Sequence, residues 1–316
     1  MRVRDKVAGQ SGKPFGSSLQ KDFSAVPAGS SAPFRHIIPL LPLLPLVLLF
    51  AGGLCLALGQ SFGMWLPFAY DGGVWDAYTA LAQPHVFKSI LLSLWVAFVS
   101  AFLAVWLGLF LAYGVWKLPD TLQKYAVIYK APLVLPHIAV GFIILVFWGK
   151  SGILSSLAYH VGAIEQTGDF PTITYSPYGL GLIMAYVLKG APFVIILAYG
   201  MLKRFDFRLV QTARMLGGSE SIIFFRLIVP FLKPVLHTAF IILFLYAVGA
   251  FDIPFLIGGS VPEMLPIKIY NLYFKRELTD RPQAMAILSL MFLFSAVFIA
   301  GYLRLAGRMH QEERKL

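Results

Sequence analysis

The chain has 316 residues, 58% of them hydrophobic, 15% aromatic and only 13% charged, whereas soluble domains carry about a quarter charged residues. A soluble enzyme is excluded on that ground, and a disordered chain is excluded because such chains lack the aromatic and aliphatic surface found here; an integral membrane protein remains. The single cysteine, Cys55, leaves no internal disulfide framework or Cys-rich metal site, and the net charge of +11 has to be read from its distribution.

Residues 1–35, rich in Ser, Gly, Pro and Lys, read as a basic, disordered tail. A bilayer core about 30 Å thick needs about 20 mostly apolar residues per helix. That ruler picks out six runs, near 37–59, 87–116, 132–149, 180–202, 235–258 and 284–303. The expected fold is therefore an all-α integral membrane protein with six transmembrane helices, its membrane domain covering 36–304 and a short tail following at 305–316. The first run is too long for a signal-peptide core and is read as a retained helix. Its Pro39, Pro42 and Pro45 fall in the opening turns, where missing backbone donors cost least.

Lys and Arg divide unequally between the two sides. The leader, the second and fourth loops and the C-terminal tail carry 19 of the 26; the opposite loops carry Lys150, Lys268, Lys275, Arg276 and Arg281, while Lys88 and Lys189 lie inside spans. The positive-inside rule then places both termini in the cytoplasm, and the basic excess reports topology and needs no nucleic acid. On the outward side, Trp65, Phe68, Tyr70, Trp75 and Tyr78 fit an interfacial aromatic belt against membrane lipid. Beyond the third span, Ile153 to Ile164 reads as a short amphipathic helix, a candidate docking surface.

The connection between spans four and five, residues 203–233, is too patterned for a mere linker. Leu209, Val210, Ala213 and Leu216 recur at helical spacing, Gly217 and Gly218 can end that helix in the left-handed conformation, and Ser219 can cap a second helix expected over Glu220 to Ile228, ending before Pro230. Here the sequence resembles the membrane subunits of binding-protein-dependent ABC importers, whose cytoplasmic EAA loop reads E-A-A-x3-G-x9-I-x-L-P. Gln211, Thr212 and Ala213 stand at the three opening positions, Gly217 at the glycine, and Leu227, Val229 and Pro230 at the closing Ile, Leu and Pro. Gln211 and Thr212 depart from the usual Glu and Ala. The likeness extends through Pro132 to Pro136, Asp252-Ile-Pro-Phe-Leu-Ile-Gly-Gly259 and Asp280-Arg-Pro-Gln-Ala-Met-Ala286.

The resemblance implies a type I permease fold and a coupling role for these seven loop residues. It also implies partners: cytoplasmic ATP-binding subunits that hold ATP and Mg while this chain binds no cofactor, a second permease identical or homologous to it, and an extracytoplasmic solute-binding protein. The fifth-loop pattern looks most like the polyamine, opine and phosphonate importers, so a small polar solute is the expected cargo. Independently of that family, a transporter lacking a nucleotide site needs a rigid protruding element through which to receive work.

Other motifs fail. Gly149-Lys150-Ser151 lacks the glycine of a phosphate-binding loop, because Ile144 stands in its place. The six histidines show no close pairing for a metal, and no carboxylate pair or nucleophile elbow points to an enzyme. Lys189 and Asp252 fall at membrane depth in spans four and five and are candidate pathway residues, with snorkelling or a structural ion pair as the plainer alternative for Lys189 and a pairing of the two with each other expected from their similar depth. They are also the only support for a rival reading, a secondary transporter driven by an ion gradient.

Overall fold

A computed structural model describes residues 38–313, so the tail expected over 1–35 lies outside the described residues. Among the described residues the secondary structure is helical throughout, with no strand. Six helical segments are long and apolar enough to cross a membrane, over 41–61, 84–117, 137–160, 180–202, 220–249 and 278–304. The contacts divide the chain after Gly53. Before that point lie a 3-10 segment, Ile38–Leu43, and the opening turns of α1 (Leu44–Ser61), whose Leu46, Val47 and Leu49 are exposed, as suits side chains dissolved in hydrocarbon.

The larger unit is organised around α2 (Pro84–Lys117) and α5 (Leu180–Leu202), which pack along most of their length. Apolar area does not drive helices together inside a bilayer, because lipid is as apolar as leucine; close backbone approach does. On α2, Ala97, Ala101, Ala104, Gly108 and Ala112 form a buried small-residue stripe facing Ala185, Ala191, Val194 and Ala198 of α5. The two helices approach closely at Gly108, where a Cβ would lie 2.5 Å from Val194 Cβ and 2.9 Å from the Ala191 carbonyl oxygen. Next to the stripe, α2 carries a ridge of rings, Phe98, Phe102, Trp106 and Phe110, whose centroids are spaced 5.8–6.2 Å apart.

The third span is interrupted. One helical turn, Ala131–Val134, is followed by extended Leu135 and Pro136, then α3 (His137–Trp148), a turn, and α4 (Ile153–His160). α4 stops at His160 instead of reaching Ile164, because Gly162 reverses the chain at φ +71°. Lys150 donates to the Gly168 carbonyl (3.1 Å) and buried Ser155 to that of Thr167 (3.2 Å), which ties the following loop back.

The fifth span departs most from expectation. After α6 (Phe207–Met215), the chain forms α7 (Glu220–Gly249) and then breaks at extended Ala250 before a separate short helix, α8 (Asp252–Ile257). α9 (Leu265–Tyr270) and α10 (Arg281–Glu313) complete the chain. α9 and the start of α10 meet the N-terminal end of α2 around Val86, Leu265, Leu272, Ala284 and Ile287. Beside them Lys268 pairs with Glu263 (3.4 Å), whose other oxygen accepts from Asn271 (2.6 Å); both charged groups are nearly buried, and the added amide bond supplies the further partner that a buried pair requires.

Candidate functional site

The loop joining α5 to α7 is a pair of capped helices around one glycine. Asp206 opens α6 by accepting from the Arg208 backbone N–H (2.9 Å), a cap that an Asp ahead of an apolar-periodic segment signals in sequence. At the other end the Gly218 N–H donates to the Ala213 carbonyl (2.9 Å) and the Gly217 N–H to that of Arg214 (3.0 Å), while Gly217 takes φ +79°. These two bonds with a left-handed residue between them are a Schellman stop. Ser219 then accepts from Ile222 N–H (3.4 Å) and starts α7.

Only part of the expected apolar face is inward. Val210 is 2% exposed and Ala213 is half-buried against the core, but Leu209 is exposed, and Met215 and Leu216 stand 88% and 83% exposed at the tip. Gln211 and Thr212 are also exposed, the Thr212 hydroxyl donating back to the Arg208 carbonyl (3.0 Å). Leu227 and Val229 pack partly against the core, and Pro230 is exposed. Sequence reasoning passed over Glu220: one carboxylate oxygen accepts from Lys117 at the end of α2 and from Tyr113 (3.4 Å), and the other accepts from Arg214 of α6 (2.6 Å).

The second loop helix does not end before Pro230. It continues as the first turns of α7, because Phe224–Ile228 widen into a π turn in which the Val229 N–H reaches the Phe224 carbonyl. Proline removes one donor and crowds the carbonyl four residues earlier, and a π turn placed just ahead of it provides the extra width without stopping the helix. The second loop helix is consequently continuous with the fifth span.

α2, α5, α7 and the interrupted third span line a half-open cavity of about 310 Å³. Ser100, Leu133, His137, Tyr186, Lys189 and Tyr246 contribute to its wall. Lys189 is half-buried, and its ammonium donates to the carbonyls of Pro132 (3.0 Å), Leu133 (3.1 Å) and Leu135. The expected pairing with Asp252 is not formed. Asp252 belongs to α8, beyond the break, where its side chain is exposed and makes no hydrogen bond or ion pair among the described residues. It lies instead within electrostatic reach of His137, Tyr186 and Tyr246. The Tyr246 ring sits 5.0 Å from His137 and 6.3 Å from Tyr186, whose buried hydroxyl has no hydrogen-bond partner among the described residues.

Six apolar spans, a small-residue helix seam and a two-helix loop whose second helix runs into one span define a polytopic membrane protein. Residues 104–311 match the family of binding-protein-dependent transport system inner membrane components, and the chain belongs to it. It is a permease subunit of a binding-protein-dependent ABC importer, a multi-pass protein of the bacterial inner membrane and not itself an enzyme. It is 28% identical over 212 residues to the molybdenum transport system permease ModB of Azotobacter vinelandii, covering 67% of this chain and 90% of that one. It is 27% identical over 206 residues to the spermidine/putrescine transport system permease PotB of Escherichia coli (strain K12), covering 62% and 72%. In fold it is similar to a bacterial ABC transporter involved in the import of alginate (TM-score 0.67, 18% identity, 89% and 97% covered) and to the inward-facing MetNI methionine transporter (TM-score 0.51, 15% identity, 73% and 96% covered).

Proposed function

We propose that the chain provides half of a solute pathway that is opened and closed from outside itself, through docking of its 206–230 loop into a separate cytoplasmic ATP-binding subunit. The observation that carries this reading is the exposed Met215–Leu216 tip of α6, a helix capped at both ends and tied to the start of α7 by the Gly217 bend and the Arg214–Glu220 ion pair. A displacement of α6 is then a displacement of the fifth span, which suits alternating access. Gln211, Thr212, Ala213, Gly217, Leu227, Val229 and Pro230 serve as the coupling set, both termini lie in the cytoplasm, and ATP and Mg sit on the partner. A second permease completes the pathway, and a solute-binding protein delivers cargo from outside.

For the solute, a polyamine-type ammonium is better supported than a phosphonate. Lys189 has all three donors engaged and offers none to an anion. The exposed Asp252 carboxylate, within electrostatic reach of His137 and Tyr246, and the Tyr186 hydroxyl, which has no partner among the described residues, suit a cation. The PotB relative, by its name, transports spermidine and putrescine. The test is copurification of an ATP-binding subunit with this chain, followed by uptake of labelled spermidine in proteoliposomes containing the whole complex and the binding protein. Asp252→Asn should weaken spermidine uptake in preference to the basal ATP hydrolysis of the complex. Uptake by the chain alone under an ion gradient would refute ATP coupling, and competition by phosphonates but not amines would refute the cationic cargo.

A further inference from the structure

The interruption of the third span creates an acceptor problem inside the membrane. Ala131–Val134 is a single helical turn, and the carbonyls at the end of any helix lack intrahelical donors. Leu135 and Pro136 are extended, at ψ 137° and 148°, and proline brings no N–H of its own. Non-helical backbone at membrane depth persists only where something else satisfies it. A lysine ammonium carries three donors, and Lys189 directs one to each of the carbonyls of Pro132, Leu133 and Leu135. Donor and acceptor numbers match, and the positive charge sits where the carbonyl dipoles converge.

The position of Lys189 is itself held. Gly190 follows it at the crossing of three helices, where a Cβ would lie 3.0 Å from Ala104 Cβ and 3.2 Å from Leu243 Cδ1. Glycine at 190 lets α5 lie close to α2 and α7 at this level, and a larger residue there would press on both neighbours. The two sides of the interruption, Leu133 and His137, both line the cavity.

We infer that Lys189 is a positioning residue: it pins the broken segment 132–136 against α5 and so sets the shape of the cavity wall without touching the solute. This rests on the cavity belonging to the transport pathway. The inference separates Lys189 from Asp252, which keeps an unengaged carboxylate on the far side of the break.

The test uses the assembled transporter in a Cys55→Ser background, since Cys55 is the sole native cysteine and is exposed. Leu135→Cys is introduced, a half-buried position packed against the core, and its reaction with a maleimide is timed. Lys189→Met removes all donors at similar length, whereas Lys189→Arg keeps them. Lys189→Met should speed Leu135→Cys labelling and lower maximal spermidine uptake on the order of tenfold, the equivalent of one charge-assisted hydrogen bond. KM should stay unchanged, and Lys189→Arg should restore both readouts. If Lys189→Met does not reach the membrane, Lys189→Gln, with two donors, should label at a rate between those of Lys189→Arg and of a Lys189→Ala variant. Unchanged labelling, failure of arginine to rescue, or a raised KM at unchanged maximal rate would overturn the inference, the last by making Lys189 a solute contact. Labelling does not depend on ATP hydrolysis or transport, so a failure of the coupling proposal would leave this result readable.

Discussion

Replacing Gly217 by alanine, asparagine and valine isolates the bend of the coupling loop from everything around it. Gly217 has φ +79°, yet a Cβ built on it meets no atom within 4 Å. Any penalty is therefore torsional and not steric. A left-handed backbone costs a non-glycine L-residue about 1–2 kcal/mol, with asparagine largely spared. That corresponds to a factor of about 5–30 in the population of the bent loop, and docking that needs the bent form weakens in proportion. Binding-protein-stimulated ATP hydrolysis and uptake, measured on the reconstituted complex, should rank glycine and asparagine together, alanine below them and valine lowest, with equal amounts of membrane-inserted subunit. The same changes at Gly218 would act differently, because a Cβ there approaches the Ala213 carbonyl oxygen at 2.8 Å. Refutation would come from a valine variant that couples normally, or from asparagine failing as badly as valine, which would point to a partner crowding the position.

Gly108→Val should lower the thermal stability of the purified complex by about 1–3 kcal/mol, as overpacking does, because its side chain meets Val194 at 2.5 Å; adding Val194→Ala should recover part of the loss in a thermal melt. Glu220→Gln should reduce coupled uptake while leaving assembly intact, since it weakens the contacts from Lys117 and Arg214 together. Those pairs are exposed and screened by salt, so raising ionic strength should bring wild-type uptake toward the variant, and a salt-independent difference would argue against an ionic role.

The repeated runs of about twenty apolar residues, the asymmetry of Lys and Arg, and the spacing from Gln211 through Gly217 to Pro230 are local properties of the chain, and they were readable because bilayer thickness and helix-capping chemistry act on contiguous residues. The glycine bend is a case in point: φ +79° at Gly217 follows from the two flanking capped helices alone. Pro230 shows the limit of that reasoning. A proline ordinarily signals a helix end, but here a π turn whose inner side chains Phe224 and Ile228 are buried carries the helix past it. Lys189 and Asp252 were legible as costly charges at membrane depth, yet depth counted along a sequence cannot say what a side chain reaches. The break at Ala250 removed Asp252 from the fifth span, and the break at Leu135 and Pro136 presented three carbonyls to Lys189. Glu220, bound by residues 103 positions before it and six positions before it, is the same case. Ion pairing and carbonyl capture depend on distances between segments remote in sequence, and only the packing of α2, α5 and α7 sets those distances.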